Sequence, residues 1–525
     1  MLKTQWREGA SFRHLIWFGF IVLWLSTAAF IRPLALPDEG RYVGIAWEMV
    51  SSGNWLVPHL DGLPYFHKPP LFYWLTAASL RACGPHLPCS RLAPLLAALM
   101  MALTLFRFLQ RHLDKKTAIV GFIALLTQPF FFASAEFANL DMLVAGMIAI
   151  AIMMAAEFIW AREKGHSAKR YLVATYFFVA AGILAKGLIG IVLPGAVVLL
   201  WLGVTKRLSM LKSFFWWPAT LFFLLVCSPW FLYMESQFKG FLSYFFIHHH
   251  FERFTGKDFN NQEPFWFYVP ALLLLTLPSS LWFLSFRRSE FRQWPVMDKE
   301  IAWLMLCWIG CIVVFFSIPA SKPLGYIMPV LPAVAGLVAL FMRQSWQDHV
   351  LRQRGVALTF AVASIACIIA VGTIIHHAKK VATYQMAAQA KALAHPDDQL
   401  VMLNKYRFDL SFYLGLTRPA WIVTDWQQAA SAPLADSWEK ELLEASEFDA
   451  KTASKHLISY HVLAQQMCHL KPNQALWVVG DAGSASQVAP LSYYKPLVNV
   501  REHTLGRIGP MEIARLCSNA SAKTE

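Results

Sequence analysis

Apolar runs follow one another from residue 14 to residue 376. Most approach the roughly 18–20 residues that cross a hydrocarbon core. They cover about 14–32, 92–106, 117–135, 140–161, 171–185, 187–203, 214–234, 267–285, 301–318, 324–342 and 355–376, or about eleven spans. Hydrophobic residues make up 57% of the 525 positions and charged ones 15%, against about 25% charged in soluble domains. The expected fold is therefore an α-helical polytopic membrane protein. The first run reads as a retained span, because no small-residue cleavage site follows it and Pro33 leads into an acidic motif.

A net charge of +14 raises the question of nucleic acid, and its distribution answers it. Basic residues gather in every other loop: Lys3, Arg7 and Arg13, then Arg107 to Lys116, Arg162 to Arg170, Lys206 to Lys212, Arg287 to Lys299, and Arg343 to Arg354. That alternation is the positive-inside pattern with a cytoplasmic N-terminus, so the charge is topological and implies no nucleic-acid partner. The loops 33–91 and 235–266 then face outward, which in a bacterium is the periplasm. So does the tail, 377–525, because the number of spans is odd. Cys83 and Cys89 in the first outer loop, and Cys468 and Cys517 in the tail, are in a position to form disulfides there.

The first outer loop reads as short interfacial helices. Tyr42, Ile45, Ala46, Met49 and Val50 share one face up to Gly53, and four prolines between Pro58 and Pro70 forbid a continuous helix. The chain divides into a transmembrane part, 1–376, and a small extracytoplasmic α/β domain, 377–525. In the latter, strands are expected at 400–403, 420–423 and 475–480, with helices at about 377–394, 436–446 and 453–467.

Polar residues that can carry chemistry collect on the outer side. They are Asp38, Glu39 and Arg41; His67 and Lys68; Glu136 and Asp141; Lys186; His248, His249, His250, Glu252 and Arg253; and Ser321, Lys322 and Tyr326. Each has a plainer reading. Asp38 and Asp141 fit helix caps or first-turn acids, Lys186 fits a snorkelling lysine, and the histidines fit a solvated run. Carboxylates near hydrocarbon are nevertheless costly. A lysine between two helix ends, opposite acids, suits a lipid phosphate whose attached sugar reacts nearby. No Gly-rich nucleotide cradle is present.

The ordered motifs carry a resemblance. Pro37-Asp38-Glu39-Gly40-Arg41-Tyr42 is followed by Trp55-Leu56-Val57-Pro58-His59-Leu60, Tyr65-Phe66-His67-Lys68-Pro69 and Lys186-Gly187. Then come Tyr244-Phe245-Phe246, His250 with Arg253-Phe254, the run from Pro264 to Pro270, and Ser321-Lys322-Pro323 with Tyr326. Over about residues 20–345 this set resembles the bacterial aminoarabinose transferases of lipid A, which belong with protein O-mannosyltransferases among the GT-C membrane glycosyltransferases.

The resemblance implies an undecaprenyl-phosphate sugar donor and an oxygen acceptor at the outer face of the inner membrane, with 4-amino-4-deoxy-L-arabinose moved to lipid A as the leading expectation. Transfer of mannose or another sugar to protein or an envelope glycan is the alternative. A lipid-phosphate transporter or flippase is a third reading, disfavoured because the midplane is nearly free of charge. The family match makes Asp38 and Asp141 the catalytic acids. Glu39, Arg41, Lys68, Lys186, Arg253, Lys322 and Tyr326 are expected at substrate or phosphate. One departure stands out. The family commonly carries Glu where this chain has His67, and in relatives that acid is associated with a divalent metal together with the histidine matching His250. Here His67 and His250, with His248 or His249, suit zinc; the change equally fits no metal, or a different sugar.

Overall fold

In the computed structural model, the described residues are 19–247, 261–286, 288–346, 350–378, 380, 382–431, 437–484, 488, 491 and 496–521. His248, His249, His250, Glu252 and Arg253 lie outside them.

Among the described residues, six helices are long and apolar enough to cross a membrane: Leu92–His112, Leu140–Glu163, Trp217–Gln237, Val296–Ser317, Leu324–Arg343 and Gln353–His377. A further pair, Tyr268–Leu275 and Ser279–Ser285, is bent by 110° at a break containing Pro278 and makes a seventh if counted as one span. Several of the eleven expected spans are shorter or interrupted. The run at 117–135 is a helix over Lys115–Leu126, a break at Thr127-Gln128, and a second helix from Pro129 to Ser134. Proline cannot donate the hydrogen bond that would carry the first helix through.

Helix Leu140–Glu163 is the centre of the bundle and is buried on nearly all sides, as its unbroken apolarity requires. Helices Lys169–Lys186 and Ile189–Val204 form a tight hairpin. Gly182 and Gly190 let the two backbones touch, and a Cβ on Gly190 would overlap the backbone of Gly182. Small residues permit that approach, and it places Lys186 at the turn, just before Gly187 with φ 95°.

The tail is a mixed α/β region. Six strands, β3 (Gln399–Leu403), β4 (Trp421–Val423), β5 (Leu457–Ile458), β6 (Leu476–Asp481), β7 (Pro496–Val500) and β8 (His503–Ile508), lie in the order β5-β4-β3-β6-β8-β7. β3 to β6 are parallel, with Val401 opposite both Trp421 and Val478, while β8 runs antiparallel to β6 and β7 to β8. The apolar runs 400–403, 421–423 and 476–479 within β3, β4 and β6 made those three strands readable, as strands covered on both faces are. The expected helix at 453–467 is instead Ala450–His456, β5 and Tyr460–Met467. A two-residue strand is too short to show a period.

The 33–91 loop contains helix Asp38–Ser52, a two-stranded ribbon of β1 (His59–Leu60) and β2 (Leu63–Pro64), and helix Leu71–Cys83. The tail docks directly on it. The Leu34 amide donates to the Tyr413 hydroxyl (2.7 Å), the Trp47 indole to the Leu416 carbonyl (2.8 Å), and the Ala420 amide to Asp61 Oδ1 (2.8 Å). Cys83 is bonded to Cys89, and Cys468 to Cys517.

Candidate functional site

Helix Asp38–Ser52 begins on its first acid, and no side chain caps it. Asp38 and Glu39 both occupy the first turn, where the helix dipole favours them, but successive residues point about 100° apart, and the two acids meet opposite environments.

Glu39 is fully buried between Arg32 and Arg91. Arg32 grips both carboxylate oxygens, one of them at 2.7 Å, and Arg91 Nε lies 3.1 Å from Oε1. The backbone amides of Ala35 and Ala138 each donate at 2.7 Å. Burial alone would raise this carboxyl's pKa, but Arg91 and Arg32 overturn that and hold it at about 2. The expected place of Glu39 at substrate is thus corrected: its oxygens are saturated by protein donors, and it ties the end of the first span to the loop and to the turn before Leu140. Sequence reasoning missed Arg32 and Arg91. The readable signal was Arg91, a cation at the outer end of a span where the positive-inside pattern does not call for one.

Asp38 keeps 52% of its side chain exposed. The surrounding protein raises its pKa by desolvation, Arg41 opposes that, and Asp141 reinforces it. Arg41, one helical turn on, lies 3.7 Å from Asp38, 3.0 Å from Glu441 of the tail and 5.2 Å above the Phe408 ring.

Asp141 and Lys186 form an ion pair. Asn139, not Asp141, caps helix Leu140–Glu163: its side-chain oxygen accepts from the Asp141 amide (3.0 Å), and its amide nitrogen donates to Asp141 Oδ2 (3.1 Å). Gly325 lets the backbone close on this carboxylate, since a Cβ there would overlap Oδ2. Lys186 Nζ sits 4.5 Å from the centroid of the Tyr326 ring, a cation–π contact that leaves the remaining N–H donors for another partner. Asp38, Arg41, Asp141, Lys186 and Tyr326 thereby meet on one side of the molecule.

Two expected residues behave otherwise. Lys322 is 3% exposed, and its ammonium is taken up by the carbonyls of Glu263 (2.8 Å), Pro319 and Ala320. It staples the 319–323 turn to the 261–263 segment, which corrects its expected role at phosphate. His67 pairs with the tail: its Nε2 lies 2.9 Å from Glu444 Oε2, to which the Tyr244 hydroxyl also donates at 3.2 Å. Lys68 follows it, half-buried, ahead of helix Leu71–Cys83. A structural zinc needs about four ligands. Among the described residues no group of three His, Cys, Asp or Glu side chains could hold a metal, so His67 and Glu444 do not by themselves fit one. A separate cavity of about 480 Å³, lined by Asp114 to Thr117 and Arg343, lies at the opposite end of helix Leu92–His112 and has no part in this cluster.

Comparison with known proteins finds relatives and a shared fold. The family model for dolichyl-phosphate-mannose-protein mannosyltransferase matches residues 67–233. An undecaprenyl phosphate-α-4-amino-4-deoxy-L-arabinose arabinosyl transferase from Pseudomonas savastanoi pv. phaseolicola is 29% identical over 362 residues, 68% of this chain and 64% of that protein. The Aeromonas hydrophila protein of the same description is 31% identical over 312 residues, 59% of this chain and 56% of the relative. The match thus spans less than two thirds of these relatives' own length. The crystal structure of ArnT from Cupriavidus metallidurans bound to undecaprenyl phosphate superimposes with a TM-score of 0.77 at 22% identity, covering 95% of this chain and 98% of that one. The chain has the ArnT fold. The ArnT-like fold includes the tail as well as the helical part, since the superposition extends over nearly the whole chain.

Proposed function

We propose that this chain moves a sugar from an undecaprenyl-phosphate donor to an acceptor at the periplasmic face of the bacterial inner membrane, with 4-amino-4-deoxy-L-arabinose and a lipid A phosphate as the pair favoured by the relatives' descriptions. The observation that carries the reading is the Asp141–Lys186–Tyr326 group set beside the half-exposed Asp38. In this reading residues 1–376 form the transmembrane catalytic part and 377–525 a periplasmic domain. The two disulfides, one in the first outer loop and one in the tail, support an oxidising compartment on that side.

Lys186 takes the donor's phosphate, held in place by Asp141 and the face of Tyr326. As the bond between the sugar's anomeric carbon and the phosphate oxygen breaks, that oxygen gains charge and Lys186 stabilises it. The acceptor oxygen forms the new bond to the anomeric carbon, and undecaprenyl phosphate leaves. Asp38 faces the positive charge developing on the sugar. A phosphate acceptor is already ionised and needs no base; with a hydroxyl acceptor, Asp38 takes the proton, a role its raised pKa suits. By the family resemblance, Lys68 and Arg253 would join Lys186 in holding the phosphate.

The match to the mannosyltransferase family model favours one second reading, transfer of a hexose to protein. Mass spectrometry of lipid A and of envelope proteins, from cells with and without this chain, separates the two. Transfer in proteoliposomes by Asp38→Asn at the wild-type rate would remove Asp38 from the mechanism.

A further inference from the structure

The tail places a carboxylate in contact with the guanidinium nearest Asp38, and neither the relatives' descriptions nor the proposed chemistry gives that contact a task. Arg41 is shared between two acids: Glu441 at 3.0 Å and Asp38 at 3.7 Å. Its plane is backed by Phe408, also from the tail. Both partners are mostly shielded from solvent, Arg41 at 16% and Glu441 at 15% exposure, whereas Asp38 is open.

We infer that Glu441 is a positioning residue for Asp38, acting through Arg41, so that the tail completes the reactive end of the molecule. The inference rests on the reading of Asp38 given above.

A guanidinium has a planar fork of donors and commits most strongly to the carboxylate it meets in the more shielded place. Glu441 holds that position, and Phe408 stops the fork from turning away. Asp38 is left with a partial ion pair, close enough to be oriented and too distant to be neutralised. The surroundings make the arrangement stiff. Gly40, between the two site acids and Arg41, packs on Phe408 and Leu36 with no room for a Cβ. Glu39 anchors the other side of the same turn through Arg32 and Arg91. Helix Trp438–Ser446 presents a second acid three residues on, Glu444, which reaches His67 and Tyr244. Residues three apart lie on one helix face, so this single face of the tail meets the site loop at both Arg41 and His67.

A merely structural tether makes a different forecast from a positioning contact. Without Glu441, Arg41 is free to close on Asp38 and pair with it fully. That withdraws the carboxylate from the sugar and makes it harder to protonate. The experiment uses the full chain in proteoliposomes with the undecaprenyl-phosphate aminoarabinose donor and lipid A. Glu441→Gln is expected to lower kcat about tenfold, equivalent to about 1.4 kcal/mol of barrier, with KM for the donor within about twofold of wild type. The acid limb of its kcat profile should move to lower pH, and Glu441→Asp should recover part of the rate. In an Arg41→Met background, adding Glu441→Gln should cost nothing more, because the route through Arg41 is already cut.

Wild-type kcat in Glu441→Gln, a change in KM alone, or an undiminished loss in the Arg41→Met background would each overturn the inference. If Glu441→Gln does not accumulate in membranes, Phe408→Leu removes the backing without changing charge. It should show the same split between kcat and KM, and wild-type kinetics there would overturn the inference equally. A wild-type chain that transfers no sugar would instead sink the proposed function, which keeps the two failures apart.

Discussion

Replacing Glu39 by glutamine takes one negative charge from a site where two buried guanidiniums converge on it. The fall of the Glu39 pKa from 4.5 to about 2 is worth about 3 kcal/mol at roughly 1.36 kcal/mol per pH unit. Removing one member of a buried ionic group costs about 3–5 kcal/mol, because the partner's charge is stranded. Glutamine keeps an oxygen for one of the two amides of Ala35 and Ala138 but cannot serve both and Arg32 as well. The expected loss is therefore about 3–5 kcal/mol at neutral pH, read as a lower midpoint in thermal unfolding of the detergent-solubilised chain. The pH dependence fixes the sign. A carboxyl whose folded pKa is depressed contributes its stability above the unfolded value, near 4.5, and loses it as pH falls toward 2. Wild type should approach the variant over that window, and the gap should stay constant above it. Asp38→Asn is the control: a half-exposed side chain should change stability by no more than about 0.5 kcal/mol, while transfer falls about a hundredfold or more. If Glu39→Gln melts like wild type and loses transfer, the division of labour between these neighbouring acids is wrong.

Lys186→Ala should lower kcat/KM for the undecaprenyl-phosphate donor by about a hundredfold, and Lys186→Arg should recover little. The turn at Gly187 and the Tyr326 face fit an ammonium, and a planar fork does not replace it; initial rates against donor concentration check both. Lys322→Met should lower the melting midpoint while leaving KM for the donor within about twofold, since its ammonium serves three carbonyls. Glu48, on the outer-loop helix, accepts from the Gly62 amide, and burial pushes its pKa up to about 7. A carboxyl raised in this way supports the fold below its unfolded value near 4.5 and withdraws that support as pH rises through about 7. Glu48→Gln should thus gain on wild type between pH 5 and pH 8, by up to about 3 kcal/mol, in unfolding measured at both; a difference between the two proteins that stays the same at both pH values would refute it.

The helical membrane part and three of the tail's strands were legible because their signals are local. Continuous apolarity marks Leu140–Glu163, and apolar runs bounded by turn residues mark β3, β4 and β6. Asp38, Arg41, Asp141 and Lys186 stand out in the sequence as charges among apolar runs, and they interact in the fold. Which of the polar residues were already committed to protein partners was not legible there. Asp38 and Glu39 are adjacent and chemically alike, and only Arg32 and Arg91 separate their roles. Lys322 looks like a phosphate ligand until the chain folds three carbonyls onto it. Glu441 and Glu444 sit in an amphipathic helix whose sequence reads as any solvated surface helix; their meaning lies in what they touch, on a loop nearly four hundred residues earlier.

The same partner accounting narrows the choice of reactive acid. Glu39, Asp141 and Asp38 are three of the described carboxylates near the candidate site, and a group that is to meet a developing cation must not already be neutralised. Glu39 faces two arginines and two amides. Asp141 is bound to Lys186 and to the Asn139 amide, with Gly325 closed against it. It fits the task of holding the lysine, because an incoming phosphate would be repelled by Asp141 unless the ammonium stood between them. Of these three, Asp38 combines exposure with an incomplete ion pair, and that incompleteness depends on Arg41 being drawn toward Glu441. If Glu441 sets Asp38 through Arg41 in this way, detaching the tail should lower transfer by at least the roughly tenfold expected of Glu441→Gln, even where the membrane helices remain folded.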